Sequence, residues 1–260
     1  MKPKVICHVM ASVDGHLQVD RWSAPYPPTD KGEVMKVYPE IGRLLHFDAW
    51  TFGRNTVTEI FPDTTAFFDK SRKYSPEDET LMRPCMQPSV HVSERKSKRL
   101  FISFDPEANI IYTSSQLRGD DILCVLPMQK ATPRYLCYLH SMNISTLVVT
   151  DFSDMRHTLE SIHEHFGIMT ISLQGGGLLN GGMLNSGLID ELSLIVYPGL
   201  DCQKTSVGLF DGVNPQAIYH TRLQLLSVQP QAHGAVWIRY KIHHTPPRPD
   251  EKRTSPHILP

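Results

Sequence analysis

Continuous apolar runs alternate with amphipathic stretches along most of the chain. The runs at 5–11, 49–53, 99–104, 121–126, 145–149, 168–173 and 191–197 read as strands buried on both faces. Between them, Thr132-Pro133 opens a helix over 134–142, and Ser153-Asp154 opens one over 155–166 that stops at Gly167. After Tyr197 the pattern changes to two strand-like stretches, 223–228 and 235–242, joined by a turn containing Pro230 and Gly234, which fits a closing hairpin. Buried strands with helices packed over them predict an α/β fold.

Two stretches stand outside this rhythm. Residues 62–94 carry four prolines and many charges with no clear period, so an irregular insertion is expected over 62–98, with one helix near 76–83. It is a candidate lid or surface loop. The segment 244–260 holds five prolines and almost no large apolar residues, which predicts an extended or disordered tail. No internal repeat and no linker divides the rest, so residues 1–243 read as one domain.

Composition narrows the classes. With 260 residues, 40% hydrophobic and 20% charged, the chain has enough apolar surface for a substantial core. Lys+Arg 26 against Asp+Glu 27 gives a net charge of −1, which argues against a disordered chain and against a strongly basic nucleic-acid binder. The apolar runs fall far short of the roughly 18 to 20 residues of a membrane span, and the start of the chain lacks a secretory pattern. No nucleic-acid or membrane partner is therefore expected. The five scattered cysteines read as buried free thiols of a reducing compartment, giving a cytoplasmic expectation. His163-Glu164-His165 reads as a solvated helix face, because residues two apart point to different faces; no metal is expected.

Chemistry concentrates in three glycine-bearing strand ends. The first is Gln174-Gly175-Gly176-Gly177-Leu178-Leu179-Asn180-Gly181-Gly182, directly after an apolar strand and before a helical stretch. Glycines at such a turn let the backbone approach a ligand and aim free N–H groups, with the positive helix end, at an anion. A plain tight turn would need the same glycines. The block matches neither Gly-x-Gly-x-x-Gly nor the Walker pattern. The second end is Ala11-Ser12-Val13-Asp14-Gly15, a polar turn at the carboxyl edge of the first strand, and the third is Gly53-Arg54-Asn55-Thr56-Val57.

In this order, and with Gly187-Leu188-Ile189-Asp190-Glu191-Leu192 closing the last block, the chain resembles the pyrimidine-reductase domain of riboflavin biosynthesis, a member of the dihydrofolate-reductase-like superfamily. The resemblance implies a three-layer α/β/α fold with a central, mostly parallel sheet, a homodimer, and NADPH-dependent hydride transfer to a small-molecule substrate, a ribosylamino-pyrimidine phosphate or a related acceptor. It implies that NADPH meets Ala11, Trp22, Gly53, Thr56, Gly175, Gly176, Gly177, Leu178, Leu179, Asn180 and Gly181. On the substrate side stand Ser12, Asp14 and Gln174, with Asp14 the best-placed ionisable group for catalysis.

The substrate half departs from the family pattern. Gln174 stands where the family has Glu, only Pro62 remains of an Asp-Asp/Asn-Pro-x-Leu-Thr-x-Arg run, and the arginine expected shortly before Asp48-Ala49 is Leu44 or is displaced to Arg43. The 2′-phosphate that separates NADPH from NADH is expected near the Asp105-Pro106 turn, Arg54, Arg118 or Ser114-Ser115. Two other readings use the same residues: a nucleotide-binding or interaction protein that has lost turnover, and a dihydrofolate reductase, for whose early acidic residue Glu33 and Glu40 are available.

Overall fold

The computed structural model describes residues 1–62, 65–67, 90–215, 218 and 220–245. The helix expected near 76–83, and nearly all of the expected tail, lie outside the described residues.

Thirteen strands are described: β1 Lys4–Ser12, β2 Ala49–Gly53, β3 Thr65–Phe67, β4 Val90–His91, β5 Leu100–Phe104, β6 Ile110–Tyr112, β7 Gln116–Leu117, β8 Asp120–Pro127, β9 Ser145–Val149, β10 Thr170–Leu173, β11 Glu191–Tyr197, β12 Thr221–Pro230 and β13 Val236–His244. The helices are α1 Lys31–Met35, α2 Val37–Leu44, α3 Arg54–Ile60, α4 Pro133–Ser141, α5 Met155–Phe166 and α6 Gly177–Asn185. Each expected strand is present within a few residues. The two expected helices form where their caps require: the Thr132 hydroxyl accepts the Tyr135 N–H, the Asp154 carboxylate accepts the His157 N–H, and α5 ends at Gly167 with φ 69°.

The main sheet runs β12-β13-β11-β1-β10-β2-β5-β8-β9-β4, with β7 added to β8. From β11 to β9 all pairs are parallel, whereas β13 and β12 close one side as an antiparallel hairpin. The strand β10 is inserted between β1 and β2, so Ile171 pairs with Val5 on one side and Ala49 on the other.

Alternation along the strands fills both faces. On β8, Leu123 and Val125 join the core beneath Leu159, Ile162 and Phe166 of α5, while Ile122, Cys124 and Leu126 face Tyr135 and Leu139 of α4 and Val57 of α3. Helices α1 and α2 pack Val34, Val37 and Ile41 against Met10, Ile195 and Trp237. The result is the expected three-layer α/β/α arrangement.

One buried polar chain ties these layers together. His8 is fully buried, and its ring stacks on Tyr38 of α2 at 4.4 Å. Its Nε2 lies 3.2 Å from the Tyr38 carbonyl, which only accepts, so Nε2 carries the proton and Nδ1 accepts from the Ser193 hydroxyl at 3.1 Å. Ser193 in turn accepts the Trp237 indole N–H at 2.8 Å. Every group in the chain is satisfied.

The cysteines depart from expectation. Cys7 and Cys124 are buried free thiols, but Cys202 is exposed and Cys137 is disulfide-bonded. No helix of the described residues is long and apolar enough to cross a membrane.

Candidate active site

The insertion of β10 brings the carboxyl ends of β2, β5 and β10 to one edge, the place where open α/β sheets bind ligands. The turn after β10 is sewn to the turn after β2. Gln174 N–H donates to the Thr51 carbonyl at 2.9 Å, Gly53 N–H to the Gly175 carbonyl at 2.7 Å, and Gly176 N–H to Thr56 Oγ1 at 3.1 Å. Gly175 has φ 108°, a conformation that favours glycine, and the Gly175–Gly176 peptide is cis.

Gly176 then caps α6 without a side-chain partner. The N–H groups of Gly177, Leu178 and Leu179 have no acceptor among the described residues and concentrate the positive end of the helix dipole. That is an anion cradle. Asp211 bounds it: its N–H donates to the Gly177 carbonyl at 2.9 Å, and its carboxylate accepts the Gly208 N–H at 3.2 Å.

The glycine block therefore divides. Gly176, Gly177, Leu178 and Leu179 line a cavity of about 570 Å³ together with Gly53, Arg54, Thr56 and Pro106. Asn180 and Gly181 face away from it. The Asn180 amide donates to the Leu209 carbonyl at 3.0 Å, and a Cβ at Gly181 would overlap the Asp211 backbone carbonyl. Gly177 is likewise constrained, since its Cβ would meet the Asp211 carboxylate and the Gly208 carbonyl. Gly177 and Gly181 thus serve the packing of the fold, and the cradle itself is made of backbone N–H groups.

A second cavity of about 640 Å³ adjoins the first, sharing Thr56, Glu59, Gly176 and Val207. Gln174 lines it, as do Met10, Tyr38, Phe52 and Arg118. Gln174 Nε2 donates to Ser172 Oγ at 3.1 Å. The Tyr38 hydroxyl donates to the His8 carbonyl, and burial pushes its phenol well above the usual range, so it stays protonated. The two cavities form one cleft with two lobes.

Other expected site residues lie away from both lobes. Ala11 is buried in β1 beside Val196, and its neighbours Val9 and Met10 reach the cleft instead. Trp22 is buried against Tyr197 at 4.8 Å in the core under α2. Ser12 Oγ accepts the His16 N–H at 3.1 Å, closing its own turn. Asp14 accepts the Cys202 and Asp201 N–H groups at 2.7 and 3.1 Å, fastening the strand end to the loop after β11. The Ser12 hydroxyl, then these amides, hold its carboxyl well below the usual carboxylate range. Such a group has no proton to give at neutral pH, so Asp14 is a loop anchor and a poor general acid.

The groups considered for a 2′-phosphate also separate. Asp105 is buried and accepts from the Asn109 N–H at 2.6 Å, the Ile110 N–H at 2.9 Å and the Tyr135 hydroxyl at 3.1 Å, so it caps its own turn. Arg54 lines the first lobe, its Nη2 donating to Asn109 Oδ1 at 3.0 Å, and Arg118 lines the second; Ser114 and Ser115 line neither. Sequence reasoning missed Glu59, Tyr38, Val207 and Asp211, which reach the cleft from separate elements.

A parallel sheet whose carboxyl edge meets a glycine turn and a helix amino end, closed by a C-terminal antiparallel hairpin, is the dihydrofolate-reductase-like fold. The chain belongs to the family described as the RibD C-terminal domain, which it matches over residues 3–237. In structure it is similar to a pyrimidine reductase-like protein of Corynebacterium diphtheriae, with TM-score 0.57, 15% identity, and 92% of each chain covered. It is also similar to RibD of Acinetobacter baumannii (TM-score 0.54, 16% identity), covering 93% of this chain and 58% of that one. A third likeness is to a diaminohydroxyphosphoribosylaminopyrimidine deaminase/5-amino-6-(5-phosphoribosylamino)uracil reductase of Thermotoga maritima (TM-score 0.55, 11% identity), covering 92% of this chain and 56% of that one. The chain thus spans somewhat over half the length of the last two. No curated protein matches it by sequence.

Proposed function

We propose that this protein is an NADPH-dependent reductase of the riboflavin pathway, acting on a ribosylamino-pyrimidine phosphate or a close relative. The observation that carries this reading is the cleft with two lobes, in which three unpartnered N–H groups at the start of α6 face one lobe and Gln174 faces the other. Family membership supports it.

The residues present fit a dinucleotide. The Gly177, Leu178 and Leu179 N–H groups would hold the diphosphate, with Gly53, Thr56 and Pro106 along the rest of that lobe. When bound, NADPH supplies the hydride. The chain's own part is orientation: Thr56 and Gly176 lie where the lobes meet, Gln174 offers an amide to the substrate, and Phe52 and Met10 give its lobe an apolar wall. The 2′-phosphate would find Arg54 in the cofactor lobe. We further propose a homodimer, with the outermost strand β12 as the shared surface.

Calorimetric titration with NADPH and NADH, repeated on Gly176→Asp, tests the assignment. A Cβ at Gly176 lies 3.0 Å from Thr56 Oγ1, and the added carboxylate faces the cradle. Micromolar NADPH binding that Gly176→Asp abolishes supports the reading; no binding of either cofactor by the unaltered protein overturns it.

A further inference from the structure

In the lobe that holds Gln174, the charged side chains of Arg118 and Glu59, like that of Asp20, stand outside any ion pair among the described residues. Arg118 sits on the two-residue turn between β7 and β8, where it and Gly119 have φ of 50° and 82°, the left-handed pair that closes a tight hairpin. Its guanidinium carbon lies 4.9 Å from the centre of the Phe61 ring. Stacking of this kind fixes the guanidinium plane and leaves its N–H edges open for a bidentate anion. Glu59 is exposed on the last turn of α3, two residues before Phe61, and lines both lobes. Neither side chain forms an ion pair with any described residue, and they are not paired with each other.

Some charges elsewhere in the fold are paired. Lys4 and Arg239 converge on the buried Glu191, and Arg99 meets Asp120. A cation and an anion left separate on the walls of one cavity of about 640 Å³ are placed for a ligand that brings the opposite charge to one end and N–H donors to the other. The carboxylate stands where the lobes meet, and the guanidinium stands over Phe61.

We propose that Arg118 and Glu59 are the specificity-determining residues of the substrate lobe. Arg118 takes a phosphate monoester, and Glu59 accepts N–H groups from the aminopyrimidine end, next to the cofactor lobe. The proposal rests on the reductase reading for its substrate class. It also accounts for the departures from the family pattern: residues 59–65 lack the usual acidic and arginine positions and position 174 is neutral, while a carboxylate and a guanidinium enter the same lobe from Glu59 and from the β7–β8 turn. Neither side chain is a catalytic residue in this scheme.

Two probes separate the roles. Ribose 5-phosphate, with ribose as the uncharged control, reads the phosphate end; 5,6-diaminouracil reads the ring end. By calorimetry, Arg118→Asn is expected to weaken ribose 5-phosphate at least tenfold, to leave ribose and 5,6-diaminouracil unchanged, and to keep NADPH affinity. Arg118→Lys should recover part of the loss. Glu59→Gln is expected to weaken 5,6-diaminouracil about tenfold without weakening NADPH. Unaltered ribose 5-phosphate affinity in Arg118→Asn, or no affinity in the unaltered protein, overturns the phosphate assignment. Unaltered 5,6-diaminouracil affinity in Glu59→Gln overturns the other half. If the unaltered protein fails to bind NADPH yet binds both probes, the reductase reading falls and the two side-chain assignments are still decided by their own variants.

Discussion

Thr56 Oγ1 accepts the Gly176 backbone N–H at 3.1 Å, joining the first turn of α3 to the turn after β10 across 120 residues of sequence. The contact places the shared wall of the two lobes. Because an N–H that loses its partner in a partly buried site costs about 1 to 3 kcal/mol, Thr56→Val is expected to lower stability by about that amount. It should also weaken NADPH binding, whereas Thr56→Ser keeps both. Urea unfolding and calorimetry on the two variants measure this.

Adjacent glycines of α6 should respond oppositely to alanine. At Gly181 a Cβ would overlap the Asp211 carbonyl, so Gly181→Ala must push the loop off the helix, at a cost of about 1 to 3 kcal/mol. At Gly182 nothing lies within 4 Å, and Gly182→Ala is expected to stabilise by up to about 1 kcal/mol through helix propensity. A fall in Tm for the first and a rise for the second is the expected pair; equal shifts would contradict the packing described.

His8 predicts a loss of stability on the acid side. Burial pulls its pKa down to about 4, against about 6.5 in an unfolded chain, with the hydrogen bonds to Tyr38 and Ser193 opposing only in part. Between these values the unfolded chain binds more protons, so stability is full above about pH 6.5 and falls as pH drops toward 4, with a slope approaching about 1.4 kcal/mol per pH unit. His140, lowered to about 4 by burial and by the neighbouring His91, adds in the same direction. His8→Phe should be less stable at pH 7 but show a shallower slope from pH 6.5 to 4.5 in denaturant titrations.

The strand β12 exposes Leu223, Leu225, Leu226 and Val228, each between 46% and 54% accessible, on the outer edge of the sheet. An apolar edge of this length favours pairing with another chain. Under the homodimer proposal, sedimentation should give a dimer for the unaltered protein and a monomer for Leu225→Glu. A monomeric unaltered protein at tens of micromolar would count against the proposal.

The strands were legible because parallel strands covered on both faces read as unbroken apolar runs, and α4 and α5 because Thr132, Asp154 and Gly167 carry cap chemistry. Helices α1 and α2 were not, since Gly32, Pro39 and Gly42 interrupt any apolar period over 31–44 and packing against Met10 and Trp237 supplies their stability. Within the candidate site, the glycine turn and Thr56 were visible as a local pattern. The Ser12-Asp14 turn looked equally polar, but Ser12 is consumed by His16 of its own turn and Asp14 by the N–H groups of Asp201 and Cys202, a contact that lies nearly 190 residues away. Arg118 announces itself only through an Arg-Gly pair at a hairpin, and Glu59 through nothing local at all. Side chains that converge from separate elements leave no spacing to read.

The position of β10 has a consequence for how the molecule comes to exist. It is the tenth strand in chain order but stands between the first and second, so β1 and β2 have no common neighbour until residues 170–173 are available. Parallel pairings over such separations form slowly, because the loops between them must be closed first. During synthesis the amino-terminal third therefore waits with the facing edges of β1 and β2 unsatisfied, and the same event that seals them also assembles the cleft. Chains interrupted before β10 should be both inactive and prone to aggregate.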